Sequence, residues 1–385
     1  MAHYPNMTKS QTMVNEPETV QLRLASGQGL VTRTVLQTAP RDALPSETPV
    51  IDISRVFSPS IDDRRAVARE IGDAAANIGF FYISNHGVPD AVIANAYKTA
   101  LAFFRQDLET KLRAKIAPSQ GKTSGYRPFA SQQINPDEGA DHREAFSWAY
   151  DATYDPEVGD INAVPEHARK YIMADESPWE ATSYMPELKS ALVLYFQSCL
   201  ALARALTRSF ALSLHLPEDH LDSKVKYPDV MMLLNYYPKK EPQSPADAQR
   251  QVSMGSHTDF RLFTILWQDS TGGLQILNRD GQWINGLPVP GTFVVNIGDF
   301  MQRITNDRYV STVHRAKNQT GQERVSIPFF WGFGLQERCG VLESCVGEGQ
   351  GRKYDEISTH EYVSSRSRQL VTWGNEMDDC DGVGL

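Results

Sequence analysis

The chain lacks several features that would fix its class at once. No stretch approaches the roughly 18 uninterrupted apolar residues of a membrane-spanning helix, and the first residues have neither the basic start nor the apolar core of a signal peptide. Positive charge is in deficit: 38 Lys and Arg stand against 47 Asp and Glu, a formal charge of −9, the wrong balance for a nucleic-acid surface. Cysteine is sparse, with only Cys199, Cys339, Cys345 and Cys380, and there is no CxxC pair or regular framework, which fits a reducing compartment. These absences lead us to expect a soluble, cytoplasmic protein with no nucleic-acid or membrane partner. They leave the oligomeric state open.

What is present is ordinary globular composition, 41% hydrophobic and 22% charged over 385 residues, enough for a sizeable core. Residues 1–45 are rich in Thr, Gln, Ser and Asn without a sustained period and read as a loosely packed arm. The end of the chain, 374–385, reads as an acidic tail. Between them the texture changes once. From 46 to 226, a strand at Pro49–Ile53 and another at Phe80–Ile83 alternate with helical spacing: Val67, Ile71 and Ile78, then Val92, Ala96 and Ala100, then Leu188 through Phe210. From 227 to 373, short β-rich runs follow one another at 231–237, 263–267, 274–277, 282–284, 292–297 and 326–331. Strands at this spacing predict an antiparallel sandwich or jelly roll. The polar, proline-rich residues from Lys239 to Ser256 read as a long loop.

The chemistry is concentrated in the second half. In a strand, side chains two apart share a face, so His257 and Asp259 are expected to present an imidazole and a carboxylate to one ion. A lone His-x-Asp is a weak signal with nine histidines in the chain. His314, in a β-rich run, supplies a third candidate, and two His with one carboxylate form the facial arrangement of non-haem Fe(II) oxygenases. Ten residues on, Arg324-Val325-Ser326 places a guanidinium and a hydroxyl on one strand face, a bidentate match for a carboxylate.

With these residues in view, the chain resembles the Fe(II)/2-oxoglutarate-dependent dioxygenases of the isopenicillin N synthase-like superfamily over roughly residues 48–373. The resemblance is carried by Gly79-Phe80-Phe81 and Asn85-His86-Gly87-Val88-Pro89 in the first half. In the second half it is carried by Asn235-Tyr236-Tyr237-Pro238, His257-Thr258-Asp259, Gly291 through Asp299, His314-Arg315 and Arg324-Val325-Ser326. It implies an α+β fold: a double-stranded β-helix, a cupin-like jelly roll, with helices packed on the outside. It further implies Fe(II) held by His257, Asp259 and His314, with 2-oxoglutarate and O2 as cosubstrates. Arg324 and Ser326 would hold the distal carboxylate of 2-oxoglutarate, and Asn235 and Tyr237 would touch it from the neighbouring strand. His86, though in a signature, reads as structural.

The implied reaction decarboxylates 2-oxoglutarate to succinate and CO2 while a small molecule is hydroxylated, desaturated or rearranged. Phe146, Trp148, Leu233, Phe330 and Phe333 are expected to line the substrate pocket. That lining implies an apolar or aromatic substrate, in keeping with specialised-metabolite biosynthesis. The alternative within the family is an isopenicillin N synthase-type oxidase that uses iron and O2 without 2-oxoglutarate. A catalytically silent jelly roll would predict a damaged triad, and all three residues are present.

Overall fold

A computed structural model describes residues 17–116, 124–172, 177–239, 252–318 and 320–378. Among the described residues seventeen strands run in order: β1 Thr19–Ser26, β2 Gly29–Leu36, β3 Arg41–Asp42, β4 Val50–Asp52, β5 Phe80–Ser84, β6 Gly125–Arg127, β7 Glu144–Ala149, β8 Asp229–Tyr237 and β9 Met254–His257, then β10 Phe263–Gln268, β11 Leu274–Leu277, β12 Trp283–Gly286, β13 Thr292–Ile297, β14 His314–Ala316, β15 Arg324–Gly332, β16 Arg338–Cys339 and β17 Ile357–Ser358. Two sheets form the double-stranded β-helix. The larger has the order β4-β5-β13-β10-β15-β8-β7-β6, and the smaller β3-β12-β11-β14-β9.

Helices cover the outer face of the larger sheet. Helix α1, Ile61–Asn77, starts at Ser60, whose side chain accepts from the Asp63 N–H, and buries Val67, Ile71, Ala74 and Ala75. It ends at Gly79, where φ is +73° and an added Cβ would lie 1.9 Å from the Val310 carbonyl oxygen. Only glycine permits this turn into β5. Helix α2, Asp90–Phe104, and the 28-residue helix Pro186–Ser213 complete the layer. The latter is long and apolar enough to cross a membrane, but 56% of its most apolar stretch is buried. It packs against α1 and α2 as a core helix.

The structure departs from the sequence reading in four places. Residues 19–36 are not loose: β1 and β2 form a full hairpin whose Leu24, Ala25 and Val35 are buried against Leu277, Trp283 and Val313. The polar residues that suggested an arm occupy the hairpin's exposed face, and residues 1–16 lie outside the described range. The larger sheet takes β4 to β7 from the first half and β8, β10, β13 and β15 from the second, so position 226 is no structural boundary. The loop expected up to Ser256 ends earlier, because Met254–His257 is already strand; residues 240–251 of that loop lie outside the description. A terminal helix, Thr359–Asp378, runs into the segment read as acidic tail, of which 379–385, with Cys380, are not described.

Candidate metal centre and co-substrate pocket

His257 ends β9 and His314 opens β14, and the two are register partners. Their rings lie 4.3 Å apart, centroid to centroid. Asp259 stands two residues past His257, beyond the strand end, so its position is not set by strand alternation as expected. Hydrogen bonds set it: Asp259 Oδ2 accepts from Thr264 Oγ1 at 2.5 Å and from Asn296 Nδ2 at 2.7 Å. That leaves Oδ1, which lies 3.7 Å from His257 Nε2 and 3.8 Å from His314 Nε2.

The three donors lie within 4.8 Å of one another and all three residues are buried. Each imidazole turns its other nitrogen to a backbone carbonyl: His257 Nδ1 to Gly255 at 2.8 Å and His314 Nδ1 to Thr312 at 3.2 Å. A carbonyl accepts only, so Nδ1 carries the proton and the Nε2 lone pairs converge, as metal ligation requires. Burial, then the neighbouring His314, holds His257 well below the usual imidazole range. It is therefore neutral without a metal. Burial pushes Asp259 up, but His314, His257, Thr264 and Asn296 together outweigh it and the carboxyl is lowered. A neutral imidazole at His257 and an ionised carboxylate at Asp259 suit a divalent cation, with His314 Nε2 as the third donor.

Across the cavity, β15 pairs with β8 so that Ser326 faces Asn235 and Arg324 faces Tyr237. The four residues predicted for the co-substrate thus form one cross-strand quartet on the cavity side. Arg324 is 2% exposed. It donates to Ser326 Oγ and Gln268 Oε1, each at 3.3 Å, and lies over the Tyr237 ring at 4.7 Å. Its Nε has no hydrogen-bond partner among the described residues, and no carboxylate there forms an ion pair with it. A buried cation without an anion is costly, and a ligand carboxylate removes that cost. Asn235 has its Oδ1 occupied by the Arg143 guanidinium, which turns its NH2 donors into the pocket.

The same alternation sorts the expected substrate residues. Leu233 and Phe330 are on the cavity face, two and four residues from Asn235 and Ser326, already placed there, and Phe330 lines the pocket with Leu266, Leu274 and Pro328. Phe146, Trp148 and Phe333 do not reach it. Phe146 pairs with Leu234 and Trp148 with Met232, on the helix side of the sheet, where both pack against Trp179. Phe333 lies past β15 and meets Phe300 in the core. The β7 residues on the same side of the sheet as Leu233 are instead Ala145, Ser147 and Ala149. Sequence reasoning also missed Thr264, Asn296 and Arg143. A polar Thr264 inside the apolar run Phe263-Thr264-Ile265 was the available signal.

The metal strand is braced from behind. Asn135 Nδ2 donates to the carbonyls of Arg23 and Ser256, at 3.0 and 3.1 Å. Glu138 accepts from the Ser256 N–H and, at 2.9 Å, from its hydroxyl. Thr258, pointing away from the two ligands beside it, donates to Asp299, which also accepts from Arg366 at 2.8 Å. His86 is structural: its Nδ1 accepts from the Val88 N–H at 3.2 Å.

Comparison with known proteins agrees with this geometry. Residues 228–332 match the sequence model of the 2OG-Fe(II) oxygenase superfamily. Residues 48–167 match that of the non-haem dioxygenase in morphine synthesis N-terminal region. The chain is 58% identical over 368 residues to a 2-oxoglutarate-Fe(II) type oxidoreductase, ppzC, of Metarhizium majus, covering 94% of this chain and 98% of the relative. Among solved structures, a full-length Neurospora crassa protein in complex with alpha-KG and 5-formyluracil superposes with TM-score 0.69 at 25% identity, over 87% of this chain and 100% of that one. A putative 2OG-Fe(II) oxygenase family protein from Caulobacter crescentus gives 0.70 at 27%, over 84% and 99%.

Proposed function

Because the chain belongs to the 2OG-Fe(II) oxygenase superfamily and is an Fe(II)- and 2-oxoglutarate-dependent oxidoreductase, we propose that His257, Asp259 and His314 are its iron ligands and that Arg324, Ser326, Asn235 and Tyr237 hold the co-substrate. When bound, Fe(II) with 2-oxoglutarate and O2 supplies an oxidant strong enough to remove hydrogen from carbon, with release of succinate and CO2. The observation that carries the reading is Arg324, buried and without a carboxylate partner among the described residues, across the cavity from three converging donors.

The chain's residues act by position. Thr264 and Asn296 hold one oxygen of Asp259 so that the other faces the ion. Arg324 and Ser326 fix the far carboxylate of 2-oxoglutarate and so set how its keto acid end meets the iron. Arg143 aims the Asn235 amide. Leu233, Leu266, Pro328 and Phe330 exclude water beside the reacting centre and orient one C–H bond, which is positional control.

The substrate we propose is a small molecule with an apolar or aromatic body, and the reaction a hydroxylation, desaturation or oxidative rearrangement in the tailoring of a specialised metabolite. The apolar wall around the donors supports this. So does the solved neighbour with 5-formyluracil bound, itself a small molecule. The test is an anaerobic titration of metal-free protein with Fe(II) and then 2-oxoglutarate. The expected result is one Fe(II) bound and a visible charge-transfer absorption that needs far more 2-oxoglutarate in Arg324→Ala. No absorption in the wild type, or an unchanged requirement in the variant, would overturn the assignment.

A further inference from the structure

Asp259 sits on a turn that no strand ladder fixes, because residues 258–262 join β9 to β10 without strand pairing of their own. Thr264 and Asn296 orient its carboxylate but leave the backbone beneath it to other partners. Asp299, the first residue of the short helix Asp299–Ile304, supplies two of them. Its N–H donates to the Asp259 carbonyl at 2.7 Å, and its Oδ2 accepts from the Thr258 hydroxyl at 3.0 Å. The Phe300 N–H adds a bond to the Phe260 carbonyl at 3.1 Å. The turn is thus gripped from Thr258 to Phe260, with the metal ligand in the middle.

What fixes the Asp299 carboxylate in turn is Arg366, on the terminal helix. Its Nη2 donates to the same Oδ2 at 2.8 Å and to the Ala25 carbonyl of β1 at 3.3 Å, and its Nη1 donates to Gln369 Oε1 at 2.8 Å. The guanidinium also lies over the Phe260 ring, 4.3 Å from its centroid. Arg366 therefore reaches the turn by two routes, through Asp299 to Thr258 and directly onto the residue after Asp259. The side chains of Arg366 and Asp299 are only 1% and 6% exposed, so water does not stand in for either partner. The packing leaves Asp299 little freedom: a Cβ added at Gly27, in the hairpin turn, would lie 2.5 Å from the Tyr362 hydroxyl and 2.9 Å from Asp299 Cβ.

A buried ion pair is weak evidence for stability, since apolar residues of similar volume often serve as well. Its value here is geometric, because one guanidinium meets the turn, the short helix and the hairpin at fixed angles. We propose that Arg366 is a positioning residue for the metal centre: through Asp299 and Phe260 it fixes the turn that presents Asp259, so that Fe(II) affinity depends on the docking of the terminal helix. This rests on the reading of His257, Asp259 and His314 as iron ligands and adds a residue that touches none of them through its own side chain.

The test titrates the metal-free full chain with Fe(II) under nitrogen, reading the dissociation constant and the number of sites. 2-Oxoglutarate is then added at saturating Fe(II), with the charge-transfer absorption as readout. Arg366→Met is expected to weaken Fe(II) binding roughly tenfold, as loss of a group that orients a ligand implies, with the number of sites unchanged. The half-saturating 2-oxoglutarate concentration should stay within about twofold of wild type, since the Arg324 end is independent of this network. A merely structural role would instead lower the number of sites or weaken both ligands alike. Either result, or unchanged Fe(II) binding, would overturn the inference.

The route is tested by combining Arg366→Met with Asp299→Asn, which leaves neither charge unpaired. The double variant is expected to bind Fe(II) no more weakly than Arg366→Met alone, and effects that multiply would show that Arg366 does not act through Asp299. Should Arg366→Met fail to fold, Arg366→Lys decides, because it keeps a cation beside Asp299 and loses the fork: weaker Fe(II) binding than wild type is expected, and wild-type binding would overturn the inference. A wild type that binds no Fe(II) would instead overturn the ligand assignment beneath it.

Discussion

One face of a single strand, β8, carries two ends of different character. At Asn235 and Tyr237 it faces Ser326 and Arg324, and each polar group there has a fixed partner or an assigned ligand atom. At Leu233 and Met231 it faces small or apolar residues, Ser147, Ala149 and Phe330. In the proposed assignment the first end takes the same co-substrate at every turnover, and its partners hold it rigidly. The second carries small and apolar residues, and in the proposed assignment specificity rests on a wall whose members come from different parts of the chain.

Four substitutions test this division, in descending order of expected effect. Asp259→Ala should abolish stoichiometric Fe(II) binding and reduce succinate to background. Metal analysis after gel filtration checks it, and retained iron would dissolve the division at its root. Phe146→Ala should act on the fold and not on either end, costing about 3–5 kcal/mol in denaturant unfolding for a buried Phe with little change in KM for either substrate. A large KM effect would return Phe146 to the pocket. For Arg324→Ala the expectation is a KM for 2-oxoglutarate raised roughly 10- to 100-fold, with the primary-substrate KM far less affected; equal effects would mean that the two ends are not separate. Thr264→Val should weaken Fe(II) binding by about tenfold, through loss of the bond that orients Asp259, and equilibrium titration reads it directly.

The rigid end was legible in the sequence because its residues come as local pairs. Arg324-x-Ser326 and Asn235-x-Tyr237 each lie within one strand, where alternation alone puts both members on one face. The strands at 274–277 and 292–297 were read to the residue for a related reason, since β-branched and apolar runs are bounded there by glycine or turn residues. The substrate end was legible only at Leu233 and Phe330. Whether Phe146 or Ser147 faces the cavity depends on the register of β7 against β8, and a slip of one residue exchanges the two faces. The aromatic residues drew attention because they are large, yet size favours burial against the helices as strongly as it favours a pocket. The hairpin was missed for a different reason: one of its faces is solvated, and its few buried residues find partners about 240 to 290 positions away, among them Leu277 and Val313.

That hairpin has a consequence for how the protein is made. β1 and β2 leave the ribosome early, but their docking partners come late: Arg366 reaches the Ala25 carbonyl across 341 positions, and Gln28 meets Tyr354 across 326. Closing loops of that length is slow. A segment synthesised well before its partners is therefore among the last to find its place, and until it does, Asn135 lacks the Arg23 carbonyl that helps to tie it behind Ser256. Iron capture is expected to be completed only after the hairpin has met Tyr354 and Arg366.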